Sequence, residues 1–323
     1  MSEIWTVEDV SAWEAANEVA YLSRAGDRVL RLTGEDRVGF LQRQSTHNIM
    51  RLGPNRPLLT VLTSPTARII DVLWLVDRGD AIDVLALPER AESTRRYLKG
   101  RIFFMDRVAV EEPDPPLTWI EVVGKRAGEV LGELGLTPPA HGECAVGAIA
   151  GTEATVLAHD HVLGWGYRIV FPIERLHELI HALHELHVPA IPASTYQVLR
   201  IERGLPGHQA ELTEEYTPLE VGLRSFVSEN KGCYTGQEVI ARQLTYDKVT
   251  RQLVGLRLSE PAAPGSRVLA EGSPVGVLTS VAVSPRLGPI ALAVLRRPHH
   301  EPGTQVVIEG GGAGTVSPLP TGA

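Results

Sequence analysis

The sequence predicts an α+β protein of several lobes that ends in a small β-barrel. Three observations lead there. At 323 residues the chain exceeds what one compact core holds. Helix-like and strand-like patterns alternate through residues 13–187, and the run Pro113-Asp114-Pro115-Pro116 interrupts them as a boundary would. From Thr250 onward the texture changes to short apolar stretches broken by Gly and Pro, the pattern of a small barrel.

Composition narrows the function classes. A hydrophobic content of 43% with mean hydropathy −0.01 describes a globular chain. A net charge of −8 argues against nucleic-acid binding through bulk electrostatics. The two cysteines, Cys144 and Cys233, make neither a disulfide framework nor a Cys-rich metal motif. Met1-Ser2-Glu3-Ile4-Trp5 lacks the basic and apolar regions of a leader, and no apolar run approaches a membrane span. The expectation is a cytoplasmic protein without a membrane partner.

In chain order, Trp13–Leu22 is expected as a helix and Arg28–Thr33 as a half-buried strand. Gly34–Gln42 has the spacing of an amphipathic helix, running into Ser45-Thr46-His47-Asn48. Leu58–Leu62 and Ile69–Val76 are expected to pair across the turn Ser64-Pro65-Thr66. After the proline boundary come strand Trp119–Val123, helix Ala127–Leu134, strands Ala154–Ala158 and Tyr167–Phe171, and a helix from Glu174 to His187. Cys144 lies in a Gly- and Ala-rich segment with no flanking base and is assigned a structural role. Ser194 and Gln197 have the spacing of a capping box, opening a helix through Arg200-Ile201-Glu202-Arg203 that ends at Gly204. Barrel strands are expected at Leu253–Leu258, Arg267–Leu269, Gly276–Val283, Ile290–Leu295 and Gln305–Ile308. The predicted units are 1–112 with 190–247, an inserted lobe 113–189, and the barrel 250–323.

His177-Glu178-Leu179-Ile180-His181 matches H-E-x-x-H, with His187 where a third zinc ligand would stand. Leu176, Leu179, Ile180 and Leu183 form the apolar stripe, which leaves His177, His181 and His184 on the polar flank. A solvated histidine face is therefore expected, and no metal site is assigned.

The chemistry concentrates in Asn230-Lys231-Gly232-Cys233-Tyr234-Thr235-Gly236-Gln237-Glu238. Thr235 and Glu238 stand in capping-box relation ahead of Val239 and Ile240, so a helix is expected from Gly236. Cys233 then faces a helix start with Lys231 two residues back, an environment that favours a thiolate. As one of only four lysines in a chain otherwise rich in Arg, Lys231 suggests that a compact ammonium matters there.

The stretch Lys231–Glu238 resembles the signature of the YgfZ-type folate-binding proteins. These are relatives of the glycine-cleavage aminomethyltransferase that are implicated in iron–sulfur cluster maintenance. The resemblance implies a GcvT-like multi-lobe folate-binding fold with a C-terminal small β-barrel, and tetrahydrofolate or a one-carbon derivative as cofactor. Reduced folate and iron–sulfur assembly proteins or client enzymes would be its partners. It assigns Cys233 the reactive role, assisted by Lys231. Arg200, Glu202, Gly204 and Pro206, followed by Glu211 and Thr217-Pro218-Leu219-Glu220, resemble a further family segment. Glu202 is then the expected pterin-binding carboxylate, with Glu211 a second, because a carboxylate can accept two parallel N–H bonds. Arg200, Asn48, Tyr234, Gln237 and Arg242 complete the expected folate contacts. In the aminomethyltransferases the loop aligned with 45–49 carries an aspartate, where this chain has Asn48. An amide is no proton acceptor at neutral pH, so that departure speaks against aminomethyl transfer. A folate-dependent aminomethyl- or methyltransferase and a non-catalytic interaction scaffold remain the alternatives.

Overall fold

The computed structural model describes residues 4–7, 10–159 and 165–319. The acidic start at Met1–Glu3 and the last four residues assigned to the barrel lie outside them. Strand β1 (Trp5–Thr6) is followed by helix α1 (Val10–Glu18), β2 (Ala20–Ser23), β3 (Val29–Thr33) and α2 (Arg37–Gln44). Next come β4 (Leu58–Thr63), β5 (Ile69–Asp77), β6 (Ala81–Leu85), α3 (Ala91–Lys99) and β7 (Ala109–Glu111). The middle of the chain supplies β8 (Leu117–Val123), α4 (Ala127–Glu133), β9 (Cys144–Ile149), β10 (Thr152–Ala158), β11 (Tyr167–Pro172) and α5 (Leu176–Glu185). Helices α6 (Ala193–Glu202) and α7 (Gln237–Thr245) lead into β12 (Arg251–Leu258), β13 (Arg267–Ala270), β14 (Ser273–Ser284), β15 (Gly288–Arg296), β16 (Gln305–Ile308) and β17 (Ala313–Ser317).

These strands make three sheets. The first has the order β4-β5-β6-β3-β7 and the second β2-β8-β11-β10-β9. The third closes on itself: β14-β13-β16-β17-β12-β15, with β15 pairing back to β14, is a six-strand barrel to which β1 adds in parallel. The α+β class and terminal barrel match the prediction. One core cluster joins all three sheets, with Trp74 and Val72 from the first, Trp119 and Val170 from the second, Leu253 and Leu292 from the barrel, and Val198 of α6 between them. The sheets therefore meet at a shared centre around α6.

Several elements depart from the sequence expectation for local reasons. The first helix stops at Glu18, because Tyr21 and Leu22 find ladder partners on β8, and Tyr21 also bridges Ala190. Helix α2 starts at Arg37, since Gly34 turns at φ +100° where a Cβ would collide with the Arg107 carbonyl. Helix α6 begins at Ala193 after Pro192 without a side-chain cap, and Gln197 instead accepts from Arg200 Nε. Strands β9 and β17 lie in Gly-rich stretches whose composition signals loop. Cys144 is buried at the start of β9, and burial pushes its thiol pKa up. No helix among the described residues is long and apolar enough to cross a membrane.

Candidate functional site at the 45–48 segment and the lobe junction

The first constellation is built on a sheet edge. Strand β4 ends the first sheet, and the segment Ser45–Asn48 lies along its open side. Ser45 bridges Leu62, Thr46 N donates to Val61 O at 3.0 Å, and His47 N donates to Thr60 Oγ1 at 2.9 Å. His47 Nδ1 donates to Leu59 O at 2.7 Å, a partner that fixes the tautomer because a carbonyl can only accept. A second segment is laced onto the first. Ser228 N donates to Thr46 O at 3.0 Å, Thr46 Oγ1 to Phe226 O at 2.7 Å, and Asn48 N to Ser228 Oγ at 2.9 Å.

Lys231 closes this ladder. Its Nζ donates to Ser45 O and His47 O, both at 2.6 Å, and stands 5.1 Å from the Tyr234 ring centroid. Burial pushes its pKa down to about 8, so at neutral pH an ammonium makes these bonds. Two of its three donors are thus committed to the backbone of the 45–48 segment. Asn48 is engaged as well: its Oδ1 accepts from Met50 N and Gln42 Nε2, each at 3.2 Å, capping the 3-10 turn Ile49–Arg51. Cys233, two residues beyond Lys231, is exposed.

The expected capping box gives way to a tighter device. Gln237 N donates to Tyr234 O at 3.2 Å, and Gly236 takes φ +85°, ψ −1°. This is a type II turn with glycine where positive φ is required. The loop also presses on the β4–β5 hairpin: a Cβ on Gly236 would lie 2.7 Å from Ser64 O, and Thr63 Oγ1 donates to Thr235 O at 2.5 Å. Gln237 Oε1 turns back to Tyr234 N at 3.3 Å. Tyr234 is buried with Ala67, Leu219, Val227 and Ile240, and burial lifts its phenol to about 12. Arg242 instead pairs with Glu238 at 2.8 Å on the exposed face of α7, away from this ladder.

The second constellation lies at the junction of the sheets. Arg200 is buried, donating to Leu205 O at 3.0 Å, to Glu211 Oε2 at 3.3 Å and to Ser280 Oγ at 2.8 Å. Glu211, fully buried, also accepts from Gly207 N and Ser280 Oγ at 2.7 Å each. A Cβ on Gly207 would meet the Arg200 guanidinium at 2.6 Å, so this glycine makes room for it. Glu202 points elsewhere. It accepts from Trp13 Nε1 at 3.2 Å and from Ser284 Oγ, tying α6 to the N-terminal helix and the barrel.

Residues that the sequence did not single out complete this region. Glu121 Oε1 on β8 accepts from both Arg168 Nε and Nη2, at 3.2 and 2.8 Å, and its Oε2 contacts His159. Burial favours the neutral acid, but the Arg168 and His159 charges outweigh it and hold the Glu121 carboxyl well below its usual range. The Arg168 guanidinium sits 4.3 Å from the Trp74 ring centroid and 5.1 Å from that of Trp119. Arg24, Trp74, Glu121, Arg168, Tyr196 and His208 line a cavity of about 40 Å³. A neighbouring cavity of about 100 Å³ shares Gln197, Arg200, Gly207 and His208 and reaches Trp5 and Thr279 at the barrel. Arg24 Nε, Arg168 Nη1 and His208 Nε2 are buried without a hydrogen-bond partner among the described residues. Burial, reinforced by Arg24, Arg200 and Arg90, pushes His208 down to about 4, so its ring is neutral at pH 7. These groups come from separate strands and loops, and no local spacing signals them.

The constellations are linked through the first sheet. His47 binds Leu59, whose cross-strand partner is the cavity-lining Trp74, about two strand spacings or ~10 Å inward. The expected helix to His187 ends at Glu185, with His187 beyond it at φ +56°, and the histidines do not converge: His177, His181, His184 and His187 are exposed, and His184 Nε2 pairs with Tyr21 OH at 2.9 Å. Among the described residues no three His, Cys, Asp or Glu side chains are grouped to hold a metal ion.

Residues 11–231 match the GCVT N-terminal domain, and residues 251–320 match the glycine cleavage T-protein C-terminal barrel domain. The chain belongs to the GCVT family. A putative chloroplastic transferase of Arabidopsis thaliana is 32% identical to this GCVT protein over 278 residues, 84% of this chain and 63% of that protein. The chain thus spans less than two thirds of that relative's length. An aminomethyltransferase of Exiguobacterium sibiricum is 28% identical over 82% of this chain and 74% of its own. The crystal structure of the glycine cleavage system aminomethyltransferase T from Bartonella henselae superposes with a TM-score of 0.84 over 96% of this chain and 88% of that one. At 20% identity that likeness is one of fold.

Proposed function

We propose that this GCVT-family protein binds a reduced folate at the junction of its three sheets and uses the Cys233 thiol in a step that supports iron–sulfur enzymes, as the YgfZ-type relatives are held to do. The observation that carries the reading is the loop that presents Cys233. It is laced to the 45–48 segment, which in the aminomethyltransferases carries an aspartate, and Asn48 there has its side-chain oxygen committed to two N–H groups. Acid–base assistance from Asn48 is unavailable, whereas an exposed thiol stands two residues beyond Lys231, the anchor of that segment. This favours thiol chemistry over aminomethyl transfer. In this reading Lys231 is a positioning residue that anchors the loop, and Tyr234 and Gln237 shape its turn.

The buried, unpartnered nitrogens of Arg24, Arg168 and His208 fit a ligand that is rich in acceptors, and Trp74 and Tyr196 supply aromatic surface beside them. A pterin with its 4-oxo group and ring nitrogens has that character. Bound there, a reduced folate would supply one-carbon carriage. The cavities of about 40 and 100 Å³ are smaller than ordinary ligand sites, so binding must widen the junction. A larger pocket of about 800 Å³ between residues 204–224 and the barrel is walled mainly by apolar side chains, and its Arg297 already pairs with Asp247. Arg200 and Glu211 would brace the junction, and Glu202 would hold α6 to the barrel without touching the ligand.

The test is restoration of iron–sulfur enzyme activity in cells lacking the protein. The parent is expected to restore it and Cys233→Ser to fail at equal abundance. Full restoration by Cys233→Ser would remove the thiol from the function.

A further inference from the structure

A cavity of about 390 Å³ lies between the C-terminal end of α6 and the barrel, and it shares no lining residue with either junction cavity. Its apolar wall is made by Ile201 and Ile290 of the shared core, with Leu287 and Leu319 packed against that core. Its polar wall is built on the turn from β14 to β15. Ser284 Oγ accepts from Arg286 N at 3.1 Å and from Leu287 N at 3.0 Å, and it donates to Glu202 Oε1, which also accepts from Trp13 Nε1 at 3.2 Å. The turn carries the exposed Arg286, and beside it Arg257 Nη1 of β12 donates to Leu287 O at 3.4 Å. Both arginines line the cavity, and neither meets an acid at ion-pair distance among the described residues. Glu202 Oε2, on the same wall, has no partner among them either.

From this arrangement we infer a second small-molecule site, separate from the junction, for a monocarboxylate with a compact apolar body. A cavity of this volume falls in the range of ordinary ligand sites. The carboxylate would take the N–H forks of Arg257 and Arg286, the planar match that guanidinium offers to that group. The body would cover Ile201, Leu287, Ile290 and Leu319. Arg242 and Arg297 already hold Glu238 and Asp247, so their charge is neutralised locally, whereas that of Arg257 and Arg286 is not. Glu202 limits the charge of the ligand. With two cations and one carboxylate lining the cavity, a monoanion brings it to neutrality, and a phosphate ester or dicarboxylate would be repelled by Glu202. The open Glu202 oxygen can also receive an amino group, so an apolar amino acid and a simple acid share the chemistry that the site recognises.

Ligand-detected NMR titration of the full chain with 3-phenylpropionate, L-phenylalanine and the uncharged 3-phenylpropanol tests this. At least one of the two acids should bind saturably at millimolar concentration. It should bind about tenfold or more tightly than the alcohol, because a hydrogen bond to a charged group is worth at least one decade in affinity. Arg286→Gln should weaken binding of that acid by a similar factor. Thermal unfolding of Arg286→Gln should match the parent, since the side chain is exposed and unpaired. Tighter binding of L-phenylalanine than of 3-phenylpropionate would support contact of the amino group with Glu202, and the reverse order would support a simple acid. Failure of both acids to bind, equal binding of the alcohol, or unchanged affinity in Arg286→Gln would overturn the inference.

Discussion

At the scale of single residues, buried polar groups decide both stability and chemistry. Asp71 on β5 is fully buried, accepting from Val72 N at 2.8 Å, from Leu87 N at 3.2 Å and from Thr94 Oγ1. Burial, only partly opposed by these bonds, raises its pKa to about 6. The folded state therefore holds a proton that the unfolded state has released. The resulting stabilisation is complete below the usual aspartate range and is lost as pH rises through about 6. Asp71→Asn keeps an acceptor for both N–H groups and does not titrate. The stability of the parent relative to Asp71→Asn should then fall by about 2 kcal/mol between pH ~4 and ~7. Urea unfolding across that range measures it, and a constant difference would show that Asp71 is not protonated in the fold. The sequence disclosed residues of this scale unevenly. Lys231, Cys233 and Tyr234 stand in one contiguous motif and could be read. Glu121, His159 and Arg168 are brought together from two strands and the end of a third, and nothing in their spacing announces it.

At the scale of elements, periodicity carried most of the reading and terminal chemistry carried less. The β4–β5 hairpin, the α5 stripe and five of the six barrel strands follow from apolar spacing. The two capping boxes did not form, because other partners took their groups. Gln197 is drawn to the buried Arg200, and Thr235 becomes part of a type II turn governed by Gly236. That turn gives an element-scale prediction. Gly236→Ala combines positive-φ strain with an approach of 2.7 Å to Ser64 O, whereas Gly222→Ala at φ +84° meets open space. Gly222→Ala should cost about 1 kcal/mol and Gly236→Ala clearly more, about 2 kcal/mol or above. The latter should also raise amide exchange across residues 226–237. Equal stability of the two variants would mean that the loop is not pressed against the hairpin. Strands β9 and β17 were hidden because glycine-rich sequence forms strands only when neighbours supply the ladder.

At the scale of the whole molecule, three sheets converge on α6, and their junction places a donor-rich cavity about two strand spacings from the 45–48 segment that Lys231 anchors. The sequence could name α6 as important, yet it favoured Glu202, whereas the fold turns Glu202 toward Trp13 and Ser284 and leaves the junction to Arg24, Arg168 and His208. Helical spacing alone does not tell which face meets the barrel. The proposed function requires that a reduced folate bind at this junction. Anaerobic calorimetric titration with tetrahydrofolate tests it most directly, using the parent, His208→Leu and Glu202→Ala. Saturable binding is predicted for the parent and for Glu202→Ala, with affinity reduced about tenfold or more in His208→Leu through loss of one buried polar contact. No binding by the parent, or affinity lost in Glu202→Ala and kept in His208→Leu, would contradict it.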